Sequence, residues 1–138
     1  MSRVPRSTRK PRSDGAEARL RILDSAEELF AERGFYGASV RDITEHSQQR
    51  LASINYHFGS KENLFRDVLL RRSEALQRDR LELLEKVRAT GTQAERTRAV
   101  VSAYVAPVAT RARESQGFRN YLGLIAQVAS SRLPALSL

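Results

Sequence analysis

A run of polar and small side chains near the middle of the chain has the chemistry needed to contact base edges in a DNA groove. In a predicted third helix, Arg50, Ala52, Ser53 and Asn55 lie on the side away from Ile54. Arginine can bind guanine and asparagine can bind adenine through paired hydrogen bonds, each good pair contributing about 1 to 3 kcal/mol of discrimination. Ordinary surface polarity is the alternative explanation for Ser53 and Asn55 when they are considered alone.

A second set of residues offers hydroxyls and cations at predicted helix ends, where phosphate binds well. Helix N-termini present unpaired N–H groups and the positive end of the helix dipole. A cation such as Lys61 is therefore unfavourable at a helix start, and an approaching phosphate would offset that cost. The set comprises Ser39 and Arg41 at the second helix, Tyr56 and His57 at the end of the third, and Lys61 at the fourth.

The elements that must position these residues are predicted to be helices throughout, because apolar residues recur at the helical period and almost no segment alternates like a strand. Helix one is predicted from about Ala16 to Arg33, with Asp14 or Gly15 near its cap and Gly34 at its end. Ser39 with Asp42, three residues later, forms a capping-box pattern for helix two. Helix three is predicted over 50–57, and helix four over the ~25 residues after Ser60. Helix five is predicted from Thr92 to about Ala112, with a kink at Pro107. Helix six is predicted from Phe118 to about Arg132, with Pro134 beyond its end.

Composition excludes several classes of protein. The chain has 138 residues, a formal charge of +8, no cysteine and two histidines. Disulfide frameworks and thiolate metal sites are therefore excluded, and we expect no metal and no cofactor. No apolar run reaches the ~20 residues that a membrane span needs, and the N-terminus lacks a signal-peptide core, so we expect no membrane association and a cytoplasmic location.

The positive charge is concentrated at the N-terminus. Residues 1–13 contain five basic residues and no acidic residue, with two prolines. We divide the chain into a disordered basic arm over 1–13, a helix-turn-helix DNA-binding domain over 14–60 and a helical regulatory and dimerisation region over 61–138. A solvated tail is the simple interpretation of the arm, but beside a helix-turn-helix it is predicted to lie along phosphates or in a minor groove.

The segment GFYGASVRDITEHSQQRLASINYHFGSKENLF, residues 34–65, resembles the tetracycline-repressor family of bacterial transcription regulators. The resemblance covers roughly Ala16 to Leu70 and is carried by Tyr56-His57-Phe58 followed by Ser60-Lys61-Glu62. It implies base contacts from Arg50, Leu51, Ala52, Ser53 and Asn55. It also implies backbone contacts from Ser39, Arg41, Tyr56, His57 and Lys61.

One departure from the family pattern lies in the turn of the helix-turn-helix. The family usually has Ala-Gly-Val there, and this chain has Ser47, Gln48 and Gln49. Glycine permits a left-handed backbone that glutamine tolerates poorly, at a cost of ~1 kcal/mol or more. We expect a looser turn or a different end to helix two, with Leu51 partly replacing the valine that fills the small core.

The resemblance further implies a homodimeric repressor that binds a palindromic operator and is released by a small molecule in a helical ligand-binding and dimerisation domain. LASINYHFGSKE is similar to a subgroup associated with lipid metabolism, so a fatty acid or acyl-CoA is one of several candidate apolar or acyl effectors. Plain core is the alternative for the residues that could line such a site. They are Val101, Tyr104, Val105, Val108, Phe118, Tyr121, Leu122 and Ile125.

Three other function classes predict different features. No nucleophile, histidine and carboxylate are placed as a hydrolase triad, and pairs such as Glu27 and Glu28 are interpreted as a solvated surface, so an enzyme is not predicted. A non-sensing architectural DNA-binding protein would lack an apolar cavity among helices four to six. A helical protein-interaction module would not bind DNA duplexes.

Overall fold

The computed structural model describes residues 11–87 and 91–130, which fold into six α-helices without a strand. The predicted all-α class is confirmed. Most of the basic arm, Pro134 and the rest of 131–138 lie outside the described residues. The helices are α1 (Pro11–Gly37), α2 (Val40–Ser47), α3 (Leu51–Phe58), α4 (Lys61–Glu85), α5 (Gln93–Glu114) and α6 (Gln116–Ser130).

The first helix begins earlier than predicted. It starts at Pro11, so Asp14 lies in its first turn and the predicted cap at Asp14 or Gly15 is wrong. Proline fits the first turn of a helix because its missing N–H would have no partner there, and an acidic side chain nearby complements the helix dipole. Gly34 interrupts the helix as predicted, with φ 73° and ψ 173°.

A single apolar core joins the first four helices to the last. Phe30 of α1 is fully buried against Phe65 of α4, their ring centroids 5.0 Å apart. Leu124 of α6 is also fully buried in this core. α4 and α6 are therefore fixed directly to the N-terminal helices. The buried members are Ile22, Leu23, Ala26, Leu29, Phe30, Ala38, Ile43, Ile54, Phe58, Leu64, Phe65, Val68 and Leu124.

A second, smaller cluster holds α4, α5 and α6 together. It contains Leu76, Phe118 and Tyr121, with Val108 of α5 packed against it. Arg111 of α5 donates to Asp79 of α4 at 2.8 Å, Nη2 to Oδ1. This bond lowers the pKa of Asp79 below its ordinary value. Pro107 lies buried inside α5, and the kink there stays a prediction.

The buried side of α6 differs from the predicted one. Tyr121 and Leu124 are buried with Phe118, whereas Ile125 is 40% exposed and Leu122 is only partly buried. The spacing of Phe118, Leu122, Ile125 and Val128 or Ala129 predicts a buried stripe on this helix, and the observed buried side is turned from that stripe by about one residue. α6 has apolar residues on most of its circumference, so its two neighbours, rather than its own periodicity, select the face that is buried.

None of the described helices combines the length and apolarity that crossing a membrane requires.

Candidate nucleic-acid interface

The third helix is held against the core by two side chains and presents its other side to solvent. Ile54 is 1% exposed and Phe58 is 6% exposed, and both belong to the core shared with α1 and α4. Residues at positions i and i+4 lie on one side of a helix, so this pair fixes the orientation of α3 about its axis. The remaining side chains of the helix are free to contact a ligand.

All five predicted base-reading residues lie at least partly exposed on or beside α3. Arg50 is the N-cap, and its side chain makes no capping hydrogen bond. Leu51, Ala52 and Asn55 are exposed, while Ser53 is half-buried. A helix fits the major groove, where arginine, asparagine and an apolar side chain can contact guanine, adenine and the thymine methyl group respectively.

Leu51 does not fill the small core as expected. It is 55% exposed because it occupies the first residue of α3, ahead of the part that packs against α1. Ser47, at the end of α2, is buried, and its hydroxyl donates to the Thr44 carbonyl at 3.4 Å. The expected substitution of Leu51 for the family's valine is wrong.

The turn between α2 and α3 keeps a left-handed residue despite lacking glycine. Gln48 has φ 55° and ψ 33°, and its N–H donates to Glu45 while that of Gln49 donates to Thr44. These bonds satisfy the last carbonyls of α2. The turn is therefore closed rather than loose, and Gln48 bears the backbone strain.

The start of α2 is locked by the predicted capping box. The Ser39 hydroxyl donates to Asp42 Oδ2 at 2.7 Å and accepts the Asp42 N–H at 3.0 Å. These bonds from the Ser39 side chain and backbone hold the pKa of Asp42 below its ordinary value. A phosphate contact from the Ser39 hydroxyl would therefore compete with the cap. Arg41 is exposed, and its pair with Glu45 at 3.0 Å can exchange for phosphate.

The end of α3 offers two ring side chains with free polar groups. Tyr56 is 85% exposed, and its ring lies edge-on to His57 with centroids 5.0 Å apart. Within the part of the chain that the structure describes, neither the Tyr56 hydroxyl nor the His57 imidazole forms a hydrogen bond. Both groups can therefore donate to phosphate oxygens without breaking an existing bond.

The start of α4 places a cation close to an aromatic ring. Ser60 caps the helix by accepting from the Asn63 N–H at 3.1 Å, after Gly59 turns the chain with φ 77°. Lys61 is the first helical residue, and its Nζ lies 4.5 Å from the centroid of the Phe35 ring. Sequence reasoning missed this contact, because nothing in the spacing of residues 35 and 61 signals it.

A buried ionic cluster connects α1 to α4, and the interpretation of Glu27 as a solvated residue is wrong. Glu27 is 3% exposed and accepts from Arg71 at 2.9 Å and from Arg72 at 2.7 and 2.8 Å. Its position between Leu23 and Phe30 on the apolar side of α1 was the missed signal. Gly117 of α6 lies directly against the side chains of Glu27 and Arg72, because a β-carbon at position 117 would collide with both.

The structure does not bring the eight predicted ligand-contacting residues together around one cavity. Phe118 and Tyr121 are buried in the second cluster, with Val108 and Leu122 packed against them. The other four are exposed, and one of them, Tyr104, has the Arg80 guanidinium of α4 over its ring at 3.7 Å from the centroid. These four are Val101, Tyr104, Val105 and Ile125.

The described residues do form an open cleft between α4 and α5. Its volume is about 490 Å³, and its lining includes Leu83 of α4 and Val87, two residues beyond the end of α4, with Ala99 and Ala103 of α5. Charged side chains occur along its lining, namely Lys86, Glu95 and Arg96.

Comparison with known proteins matches the N-terminal helices to a family of regulators. Residues 22–68 match the family model described as "Bacterial regulatory proteins, tetR family". The chain is 46% identical over 48 residues to the HTH-type transcriptional repressor AcnR of Corynebacterium glutamicum, covering 35% of this chain and 26% of that protein. It is 36% identical over 62 residues to the regulator UidR of Escherichia coli K12, covering 45% and 32%.

Solved structures extend the similarity of fold beyond these helices. The multidrug binding protein EbrR superposes with a TM-score of 0.63 at 24% identity, covering 98% of this chain and 67% of its own. A HlyIIR mutant superposes with a TM-score of 0.62 at 19% identity, covering 88% and 63%. The matches to AcnR and UidR span only about a quarter to a third of those proteins' length.

Proposed function

We propose that this chain, whose residues 22–68 match the model of the TetR family of bacterial regulatory proteins, is a sequence-specific, double-stranded-DNA-binding transcription regulator. The relatives it matches are transcription regulators and not enzymes. Such a regulator acts where bacterial chromosomes are read, in the cytoplasm.

The observation that carries the proposal is the exposure of α3. Ile54 and Phe58 fix the helix to the core, so Arg50 and Asn55 are presented on a rigid element with no competing partner inside the helix. A rigid helix can hold these side chains in register with base edges at no further ordering cost to its backbone. We assign Arg50, Leu51, Ala52, Ser53 and Asn55 to base contacts.

Backbone contacts would come from the helix ends around α3. Tyr56 and His57 have free polar groups, and Arg41 and Lys61 carry positive charge. Ser39 contributes by capping α2, which fixes the N-terminus of that helix and leaves its remaining unpaired N–H groups for a phosphate. The formal charge of +8 adds a long-range attraction for DNA.

Two copies of the chain are proposed to bind a palindromic operator as a homodimer. One short recognition helix contacts only a few base pairs, which is too few to select a site in a genome. Two DNA-binding heads, each formed by α1, α2 and α3 of one copy and related by a two-fold axis, would double the contacts with bases and read a symmetric sequence.

Release by an effector is the proposed mode of control, with repression as the regulatory outcome because AcnR is named a repressor. The α4–α5 cleft has an apolar interior and charged groups in its lining, which suits an acyl chain with a polar head. A ligand there can alter DNA binding only if it favours one placement of α4 over another. The thermal melting temperature, measured with and without fatty acids and acyl-CoA, tests for such binding.

Selection from a pool of random duplexes tests the proposed function. We expect rounds of binding and amplification to enrich a two-fold symmetric sequence. The Asn55→Ala variant serves as the control, because it keeps the charge of the wild type while removing one base-contacting amide. A wild-type pool that stays random after several rounds would refute sequence-specific binding.

A further inference from the structure

Lys61 lies where its own helix repels it. It is the first residue of α4, next to the positive end of the helix dipole. Among the described residues no carboxylate forms an ion pair with it. The ammonium group is therefore placed by something other than an acidic partner.

The partner is the face of Phe35. Lys61 Nζ lies 4.5 Å from the ring centroid, within the distance at which a cation is attracted to the negative face of an aromatic ring. A ring satisfies the charge without occupying the N–H donors in strong hydrogen bonds. The three donors of the ammonium group remain available to an anion.

Phe35 is itself fixed by the fold. Its ring stacks on Phe30 of α1 at 6.0 Å and meets Phe65 of α4 at 5.1 Å. Gly34 makes this placement possible, because its left-handed backbone, with φ 73°, redirects the chain after the long part of α1. The ring is therefore a rigid support whose position depends on the core.

We propose that Phe35 is a positioning residue for DNA binding, which holds the Lys61 ammonium group ready to contact a phosphate. This inference rests on the proposed function, since it assigns a support to one of the backbone contacts. Without the ring, the lysine chain would sample many rotamers and lose entropy when it binds. Pre-organisation by Phe35 removes part of that loss.

Phe35→Leu removes the aromatic face while keeping an apolar side chain. We expect it to weaken DNA binding by about two- to fivefold, the range that corresponds to an exposed cation–π contact. The salt dependence should change little, because the charge of Lys61 is retained. In a Lys61→Ala background the same substitution should have almost no effect on affinity.

Two further variants serve as controls. Phe35→Tyr keeps a ring at the same place and should restore wild-type affinity. Tyr36→Leu removes a neighbouring aromatic side chain that meets Phe35 edge-on at 5.2 Å but does not lie under Lys61. Any effect of Tyr36→Leu should therefore be the same with Lys61 or with alanine at position 61.

Nuclear magnetic resonance of the DNA-free protein tests the contact separately from DNA binding. The ε-methylene protons of Lys61 should be shifted upfield by the ring current in the wild type and in Phe35→Tyr. They should move to ordinary values in Phe35→Leu, and dispersed amide signals would show that this variant is folded. Unshifted wild-type protons would overturn the proposal while leaving the proposed function intact.

The affinities decide the remaining outcomes. A Phe35→Leu defect of equal size with and without Lys61 would show that the ring acts only through stability, which overturns the positioning role. A wild type that binds no duplex, yet shows shifted lysine protons, would refute the proposed function and the positioning role that rests on it. The proposal would be supported if Phe35→Leu weakened DNA binding only when Lys61 is present and if the Lys61 ε-methylene protons were shifted upfield in the wild type.

Discussion

Individual residues of the interface divide into those at helix ends and those on the exposed side of α3. Lys61 and Tyr56 are at helix ends, and the contacts proposed for them are with the sugar-phosphate backbone, which is the same in every sequence. Arg50 and Asn55 lie at the start and on the exposed side of α3, and the contacts proposed for them are with base edges. Substitutions in the two groups should therefore have different consequences.

Lys61→Ala and Tyr56→Phe are expected to weaken binding to all duplexes alike. Losing one phosphate-bound cation should flatten the plot of log affinity against log salt concentration by about one unit for Lys61→Ala. Lys86→Ala is the matched control, because it removes the same charge at the opposite end of α4. Titrations at several salt concentrations measure the slope, and an unchanged slope for Lys61→Ala would remove the assignment.

Arg50→Ala and Asn55→Ala are expected to change which sequence is preferred. Each removes side-chain hydrogen bonds that can distinguish bases by about 1 to 3 kcal/mol. Repeating the selection from random duplexes with each variant measures the preference. If both variants select the wild-type sequence, α3 is not the reading element.

Gln48→Gly should stabilise the protein by about 1 kcal/mol, because Gln48 occupies the left-handed region that glycine adopts without strain. Gln49→Gly is the control, since Gln49 is outside that region and should gain nothing. Unfolding in urea measures both. A Gln48→Gly variant no more stable than the parent would mean that the turn bears no strain.

The helices themselves were largely predictable from local signals. Ser39, Ser60 and Thr92 each begin a helix in the structure, as their capping patterns indicate. These signals depend on a few neighbouring residues, so the sequence contains them completely. The start of α1 was missed because a proline was interpreted as part of a disordered arm, although it fits the first turn.

Contacts between helices were less predictable, because they depend on residues far apart in sequence. The buried side of α6 is selected by two contacts: Phe118 packs in the second, smaller cluster, and Leu124 packs in the core that α6 shares with the first four helices. Glu27 is buried because Arg71 and Arg72 compensate its charge from α4. The ring of Phe35 beneath Lys61 belongs to the same class of long-range contact.

Glu27→Gln tests how strongly the ionic cluster joins α1 to α4. Removing the carboxylate leaves two partly buried guanidinium groups without their shared partner. We expect a loss of about 2 to 3 kcal/mol, below the ~3 to 5 of a fully buried pair because both arginines are partly exposed. Glu28→Gln, on the exposed neighbour, should change stability by less than about 0.5 kcal/mol. Equal effects in urea unfolding would contradict the structural role of Glu27.

The α4–α5 contact should make stability depend on acid. The Arg111 bond lowers the pKa of Asp79 in the folded state, so its stabilisation is present above the unfolded pKa of about 3.9 and is lost as the pH falls through the folded value. Asp79→Asn should therefore destabilise the protein at neutral pH and reduce the loss of stability as the pH falls below the unfolded pKa of about 3.9. Glu82→Gln is the exposed control on the same helix. Parallel pH profiles for Asp79→Asn and the wild type would refute this link.

On the scale of the whole molecule, α4 connects the recognition helices to the helices behind them. The first turns of α4 belong to the core that also holds α3, and its later turns pack on α5. A change in the angle of α4 would therefore move α3 as well. A dimer would thereby couple the separation of two heads to whatever binds behind them. This is the physical basis for the proposed effector response.

Light scattering tests the dimer directly. We expect two chains on one symmetric duplex, with affinity for the full site well above that for a half-site because the second head binds at a high effective concentration. A half-site duplex of equal length is the control. One chain per duplex, bound equally tightly to both, would contradict the dimeric account.

A competition titration with two duplexes tests whether α3 reads a DNA sequence. The selected duplex and a scrambled duplex of the same composition are titrated with wild type and Asn55→Ala at one salt concentration. We expect the wild type to bind the selected duplex about 10³-fold or more tightly than the scrambled one, and Asn55→Ala to reduce this ratio. Equal wild-type affinity for both duplexes, or a ratio that Asn55→Ala leaves unchanged, would contradict sequence reading by α3.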